Sequence, residues 1–144
     1  MKTVKDILRG KGSNVTTINQ KQMVYEALKQ LADADIGALV VVDDQGAVVG
    51  ILSEREYARK VILKGMSSLN TPVQEIMTRQ VCYVHPDQTV DECMALVTEK
   101  HRPHLPVLEN GVLLGIVSIG DLVKASISEK EFLIDQLTHY IGSG

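Results

Sequence analysis

The sequence repeats itself. VKDIL, opening at Val4, returns as VQEIM at Val73, and GILSERE at Gly50 returns as GIVSIGD at Gly115. The second pair of anchors is the more closely spaced, because the first half carries extra loop residues around Gly10 to Asn14. Between the anchors both halves keep one order of segments. Val15–Ile18 answers Val81–Val84, the amphipathic stretch Met23–Ala34 answers Thr89–Lys100, and the apolar run Ala38–Asp43 answers His104–Glu109. A glycine turn (Gly46 or Gly111) and a second apolar run (Val48–Ser53 or Leu113–Ser118) follow. An internal repeat of this length restricts the chain to two like units. One half is too small to hide all its apolar surface, so the halves are expected to pack on each other.

Each half reads β-α-β-β-α. Val24, Ala27, Leu28 and Leu31 recur at helical spacing, as do Val90, Cys93, Met94 and Val97, which predicts one apolar stripe per helix. The run Leu39–Val42 is almost wholly apolar, the pattern of a strand covered on both faces. The Asp-Asp-Gln-Gly and Glu-Asn-Gly segments have hairpin-turn chemistry. A closing helix is expected near Glu54 and near Ile119. Glu129–Ile141, with Phe132, Ile134, Leu137 and Ile141 near helical spacing, predicts a C-terminal helix. The expected division is therefore 1–66, 67–128 and a C-terminal helix and tail at 129–144, in an α+β fold.

The rest of the sequence narrows the function. Acids outnumber bases, for a formal charge of −3, and no stripe of Lys and Arg marks a duplex nucleic-acid partner. Aromatics are only 3% of the chain, so stacking platforms for single strands are scarce and aliphatic side chains must supply the core. No apolar run reaches membrane-spanning length. The opening MKTVKDILRGKGSN has no signal-peptide apolar core, and Cys82 and Cys93 form no C-x-x-C. A cytoplasmic chain with reduced thiols is the expectation. No Ser-His-Asp order, paired-acid constellation or Walker loop is present, so no catalytic residues are assigned. Pro103 lies between His101 and His104 and breaks the helix that i,i+3 metal ligation would need.

With its two copies of G-h-h-S-x-x-D/E (h apolar), each after a hairpin, and P-V-x-E-I-M at Pro72–Met77, the chain resembles the CBS-domain family, named for cystathionine β-synthase. The runs SEREYARKV from Ser53 and SIGDLVKA from Ser118 are similar to a subgroup of stand-alone CBS pairs in bacteria and organelles. The resemblance covers nearly the whole chain. It implies two repeats about a pseudo-twofold axis and clefts that hold AMP, ADP, ATP, NAD or S-adenosylmethionine. It also implies dimerisation of the pair, here a homodimer, and regulation of a separate protein.

The resemblance implies site residues one by one. Ser118 and Asp121 open a helix, where free N–H groups favour an anion. Ser118 suits a phosphate, and a carboxylate such as Asp121 accepts both hydroxyls of a ribose cis-diol. The same S-x-x-D/E is also a capping box, and the two roles are compatible. Thr16, Ile36, Gly37 and Ala38 are expected to complete that cleft, with backbone groups at the adenine edge and Gly37 either permitting close approach or ending the helix as a C-cap. The other cleft would take Cys82, Arg102, Pro103 and His104 with Ser53 and Glu56. Two departures mark it. Glu56 stands where the pattern has Asp, and Pro103 where the subgroup has Arg, with Arg102 one place earlier. Arg55, Arg59 and Lys60 are expected either to clamp a phosphate or to form a solvated face with Glu54 and Glu56. The leading expectation is an adenine-nucleotide sensor without a required cofactor. The alternative is a non-catalytic interaction or scaffold protein with vestigial clefts.

Overall fold

The computed structural model describes residues 1–12 and 15–143. Ser13 and Asn14, in the expected loop insertion, and the side chain of Ile141, in the expected C-terminal stripe, lie outside the described residues. In chain order the elements are α1 (Val4–Lys11), β1 (Thr17–Asn19), α2 (Val24–Ala34), β2 (Ala38–Val42), β3 (Val48–Ser53), α3 (Glu54–Glu56) running into a π-helical Tyr57–Ile62, a 3₁₀ turn (Val73–Glu75), α4 (Val90–Lys100), β4 (His104–Glu109), β5 (Val112–Ser118) and α5 (Ile119–Ser143). The fold is α+β, with a three-stranded sheet β1-β2-β3 and a two-stranded sheet β4-β5.

The chain clusters into two compact units that interleave in sequence: 14–81 with 111–113, and 1–13 with 82–110 and 114–144. In the first, β1 runs parallel to β2 (Thr17 across from Val40) and β2 antiparallel to β3 (Ala38 across from Ser53). Ile18, Val24, Leu31, Leu39, Val41, Leu52, Val73 and Ile76 form its core. Val4, Val84, Val90, Cys93, Leu105, Val107, Val117 and Leu122 form the core of the other. The expected strand Val81–Val84 shrinks there to a single parallel bridge between Val84 and Val107.

Each core is completed by the segment that precedes the opposite repeat. The Val4 amide donates to the Gln88 carbonyl, Lys5 to Pro86, and Val90 to Lys2. The mirror-image set joins Val73 to Gln22, Gln74 to Gln20, and Val24 to Thr71. Val4 and Val73 are fully buried, and burial of such a side chain contributes roughly 1.5–3 kcal/mol. The two glycines of the G-h-h-S motif exist for this seating. A Cβ on Gly50 would lie 2.6 Å from Met77 Sδ and 2.9 Å from the Thr78 carbonyl oxygen; one on Gly115 would lie 2.7 Å from Leu8 Cδ2.

Several local details differ from the sequence expectation. Gly37 does not cap α2; Asp35 does, in the left-handed conformation (φ 53°), and His101 does the same for α4. Asp and His tolerate this region better than most residues. The closing helix at Ile119 and the helix expected from Glu129 are one continuous α5, because no proline or glycine interrupts the chain between Gly120 and Gly142. The Asn110-Gly111 hairpin has both residues at positive φ (53° and 79°), as a tight two-residue turn requires.

Gly50→Ala is expected to cost about 1–3 kcal/mol by overpacking, because a backbone carbonyl blocks the new methyl. Gly115→Ala should cost less, since only the end of the Leu8 side chain must move. Urea denaturation of both variants checks this, and equal losses would contradict it.

Candidate functional site

The antiparallel turn back from β2 to β3 brings the start of one strand beside the end of the other. In the unit of residues 14–81 this places Thr16, Ile36, Gly37, Ala38, Ser53 and Glu56 at one end of the sheet. The Glu54 amide donates to the Gly37 carbonyl there (3.3 Å). In the other unit the start of β4 and the end of β5 gather Pro103, His104, Ser118 and Asp121, and the Ile119 amide donates to the Pro103 carbonyl (2.9 Å). In both units, therefore, the first helical N–H is consumed by the residue just before the neighbouring strand and is not offered to an anion. Cys82, Arg102, Pro103 and His104 are all partly buried.

The S-x-x-D/E motif does two different things. Ser118 and Asp121 form a reciprocal capping box: the Ser118 amide donates to Asp121 Oδ2 (2.9 Å), and the Asp121 amide donates to Ser118 Oγ (3.1 Å). Used as an acceptor, the Ser118 hydroxyl retains its own proton to donate. Lys11 Nζ, from the end of α1, reaches the same Oδ2 at 2.7 Å and the Ile116 carbonyl at 2.9 Å. Both bonds to Asp121 thus fall on Oδ2, and among the described residues of this unit no donor is bonded to Oδ1. Burial favours the neutral acid here, but the Lys11 ammonium and the Ser118 amide outweigh it and hold the carboxyl below its ordinary range.

Among the described residues Glu56 has no cationic partner. The Ser53 hydroxyl donates to Oε2 and the Thr78 hydroxyl donates to Oε1 at 2.6 Å, so each carboxylate oxygen already has a donor from within the unit. Ser53 does not cap the helix through its side chain. The basic cluster is also smaller than expected. Lys60 Nζ caps the Ile76 carbonyl (3.0 Å), leaving Arg55 and Arg59 exposed. The chain turns π-helical at Tyr57, and a π-turn takes an extra residue, so the shared-face argument from α-helical spacing does not carry over. No ion pair joins either arginine to Glu54 or Glu56 among the described residues.

Lys11 and Thr78 are the partners that sequence reasoning missed. Neither recurs: Gln80 stands at the place of Lys11 in the second copy, and Arg9 at the place of Thr78 in the first. No periodicity marks them. Cys93 is fully buried, and desolvation, aided by Glu92, pushes its thiol up to about 11, which suits a core residue and not a nucleophile. Among the described residues no group of three or more His, Cys, Asp or Glu is placed to hold a metal ion, and no helix is long and apolar enough to cross a membrane.

The CBS-domain model matches residues 3–62 and 73–128, so the chain belongs to the CBS-domain family, with two copies of the domain. It is 36% identical over 150 residues to the mitochondrial CBS domain-containing protein CBSX3 of Arabidopsis thaliana, spanning 99% of this chain and 73% of that one. A solved protein with CBS domains from Burkholderia ambifaria is 50% identical, with a TM-score of 0.83 over 88% of this chain and 94% of its own. The CBS domain pair of protein MJ0100, solved with 5′-methylthioadenosine and S-adenosyl-L-methionine, is 27% identical, with a TM-score of 0.78 over 90% of this chain and 98% of its own.

Proposed function

We propose that the chain is a non-catalytic sensor of an adenine nucleotide (the AMP, ADP, ATP or NAD class) that modulates a separate partner protein in the cytoplasm. The observation that carries this reading is the Asp121 carboxylate. It is ionised, held from one side by Lys11 and the Ser118 amide, and leaves Oδ1 as an acceptor for the hydroxyls of a ribose. In this reading the Ser118 hydroxyl donates to a phosphate, Thr16 and the backbone of Ile36, Gly37 and Ala38 meet the adenine edge, and no cofactor is required. The adenosine compounds bound by MJ0100 support the class of ligand. Binding to one arrangement of the protein in preference to others is what converts occupancy into an output.

A second reading, an interaction protein with vestigial clefts, is favoured for the Glu56 half alone. Ser53 and Thr78 occupy both oxygens of Glu56, and a ligand would have to displace a hydroxyl donor to reach it. Cys82, Arg102, Pro103 and His104, with the exposed Arg55 and Arg59, are then the groups that would have to recover affinity there through phosphate.

A panel of AMP, ADP, ATP, NAD and S-adenosylmethionine in a thermal-shift assay tests the sensor. A ligand at one hundred times its Kd should stabilise the fold by about 2.7 kcal/mol. Asp121→Ala should weaken binding about tenfold or more, the value of a charged hydrogen bond, and Glu56→Ala should weaken it less. No shift with any member at millimolar concentration would leave the scaffold reading in its place.

We further propose that the chain is a homodimer joined through α5. Ile119, Val123 and Ile127 are 47%, 40% and 51% exposed at four-residue spacing and, with Lys124 and Glu131, line an open apolar groove of about 630 Å³. A second copy suits this face: a two-fold antiparallel pairing centred beside Ile127 sets Lys124 of each copy against Glu131 of the other, as an isologous interface requires. Light scattering should give twice the 15.8 kDa chain mass, and Ile127→Glu should halve it. A wild-type monomer at tens of micromolar would contradict the pairing.

A further inference from the structure

Among the described residues Asp121 has a cationic partner and Glu56 has none. Lys11 ends α1, an eight-residue helix seated in its unit by the buried Val4 and by Leu8 against Gly115. From there Nζ spans Asp121 Oδ2 and the Ile116 carbonyl, at 2.7 and 2.9 Å. The side chains are 38% and 24% exposed, so the pair is only partly screened by water. The other charged groups around the cavity beside it do not compete for Asp121. Asp6 accepts from the Thr3 amide and hydroxyl (2.9 and 3.2 Å). Lys2 donates to the Ser128 hydroxyl (3.3 Å). Lys124 lines the same cavity but makes no ion pair with Asp121. The ammonium and the Ser118 amide together therefore fix which carboxylate oxygen is spent on the protein and which is left over.

We propose that Lys11 is a positioning residue for ligand binding: by joining the Ser118 amide on Oδ2 it holds the Asp121 carboxylate in place and leaves Oδ1 for the hydroxyls of a ribose. This rests on the nucleotide reading above. The role belongs to this half alone, since Glu56 is held by two neutral hydroxyls. It also gives the site a sign with pH. A carboxyl held below its ordinary range stays charged on mild acidification and is lost as an acceptor only when the pH falls through that lowered value. Without Lys11 the burial that opposes ionisation loses its main counterweight, so protonation, and with it loss of binding, moves to higher pH.

The test compares wild type, Lys11→Met and Lys11→Arg by two measurements. NMR of the Asp121 side-chain carboxyl carbon, without ligand, follows its titration. Calorimetry with AMP and with ATP, from pH 7 downward, follows affinity. Lys11→Met should raise the pH at which Asp121 titrates, weaken binding about tenfold at pH 7, and move the acid loss of binding to higher pH. Lys11→Arg should restore all three. An unshifted Asp121 titration in Lys11→Met, or binding as tight as or tighter than wild type, overturns the proposal and makes Lys11 a bystander or a competitor. Wild type that binds none of AMP, ADP, ATP and NAD overturns the nucleotide reading instead, and the ligand-free titration still reports whether Lys11 holds the carboxylate.

Discussion

The seating of Val4 and Val73 is the contact on which the rest of the structure depends. Each valine leads its segment into the apolar core of the unit built mainly from the other repeat, and three backbone hydrogen bonds on each side lock it there. The segment then runs close past the motif glycine, with Met77 and the Thr78 carbonyl against Gly50 and Leu8 against Gly115, so the strand must lack a side chain there. That is the physical reason for a glycine at Gly50 and at Gly115 three residues before each serine of the motif. The motif glycine is thus a packing residue.

From that contact the two halves diverge. The segment that crosses Gly115 is a full helix, α1, and it carries a lysine to Asp121. The segment that crosses Gly50 is a 3₁₀ turn followed by extended chain, and it carries a threonine to Glu56. A cation leaves its carboxylate charged and one oxygen open. Two hydroxyls satisfy both oxygens of the other. Glutamate's extra methylene lets it reach Ser53 and Thr78 together, so the departure from Asp visible in the sequence has a structural consequence: that carboxylate is turned inward to its own unit. Similar folds with dissimilar sites are the expected outcome when a repeat keeps its core and changes its loops.

The hairpins, the helix stripes and the capping box at Ser118 were legible because each rests on local chemistry: Asn110-Gly111 for the turn, Val90 to Val97 for the stripe, Ser118 and Asp121 for the cap. What was not legible depends on contacts between distant stretches of chain. Nothing in VKDILRGK indicates that its valine packs beside Val90 or that its last lysine meets Asp121. The choice of Asp35 over Gly37 as the helix end reflects where β2 must begin. The π-turn at Tyr57 breaks the spacing from which Arg55 and Arg59 were placed on one face.

A pair of double-mutant cycles tests the seating most directly. One combines Val4→Ala with Val90→Ala, the other Val73→Ala with Val24→Ala, each measured by urea denaturation. Neighbours in one core should show a coupling of about 0.5 kcal/mol or more in both cycles. Additive losses in both would contradict the account, because they would mean that neither valine shares a core with the helix it is bonded beside.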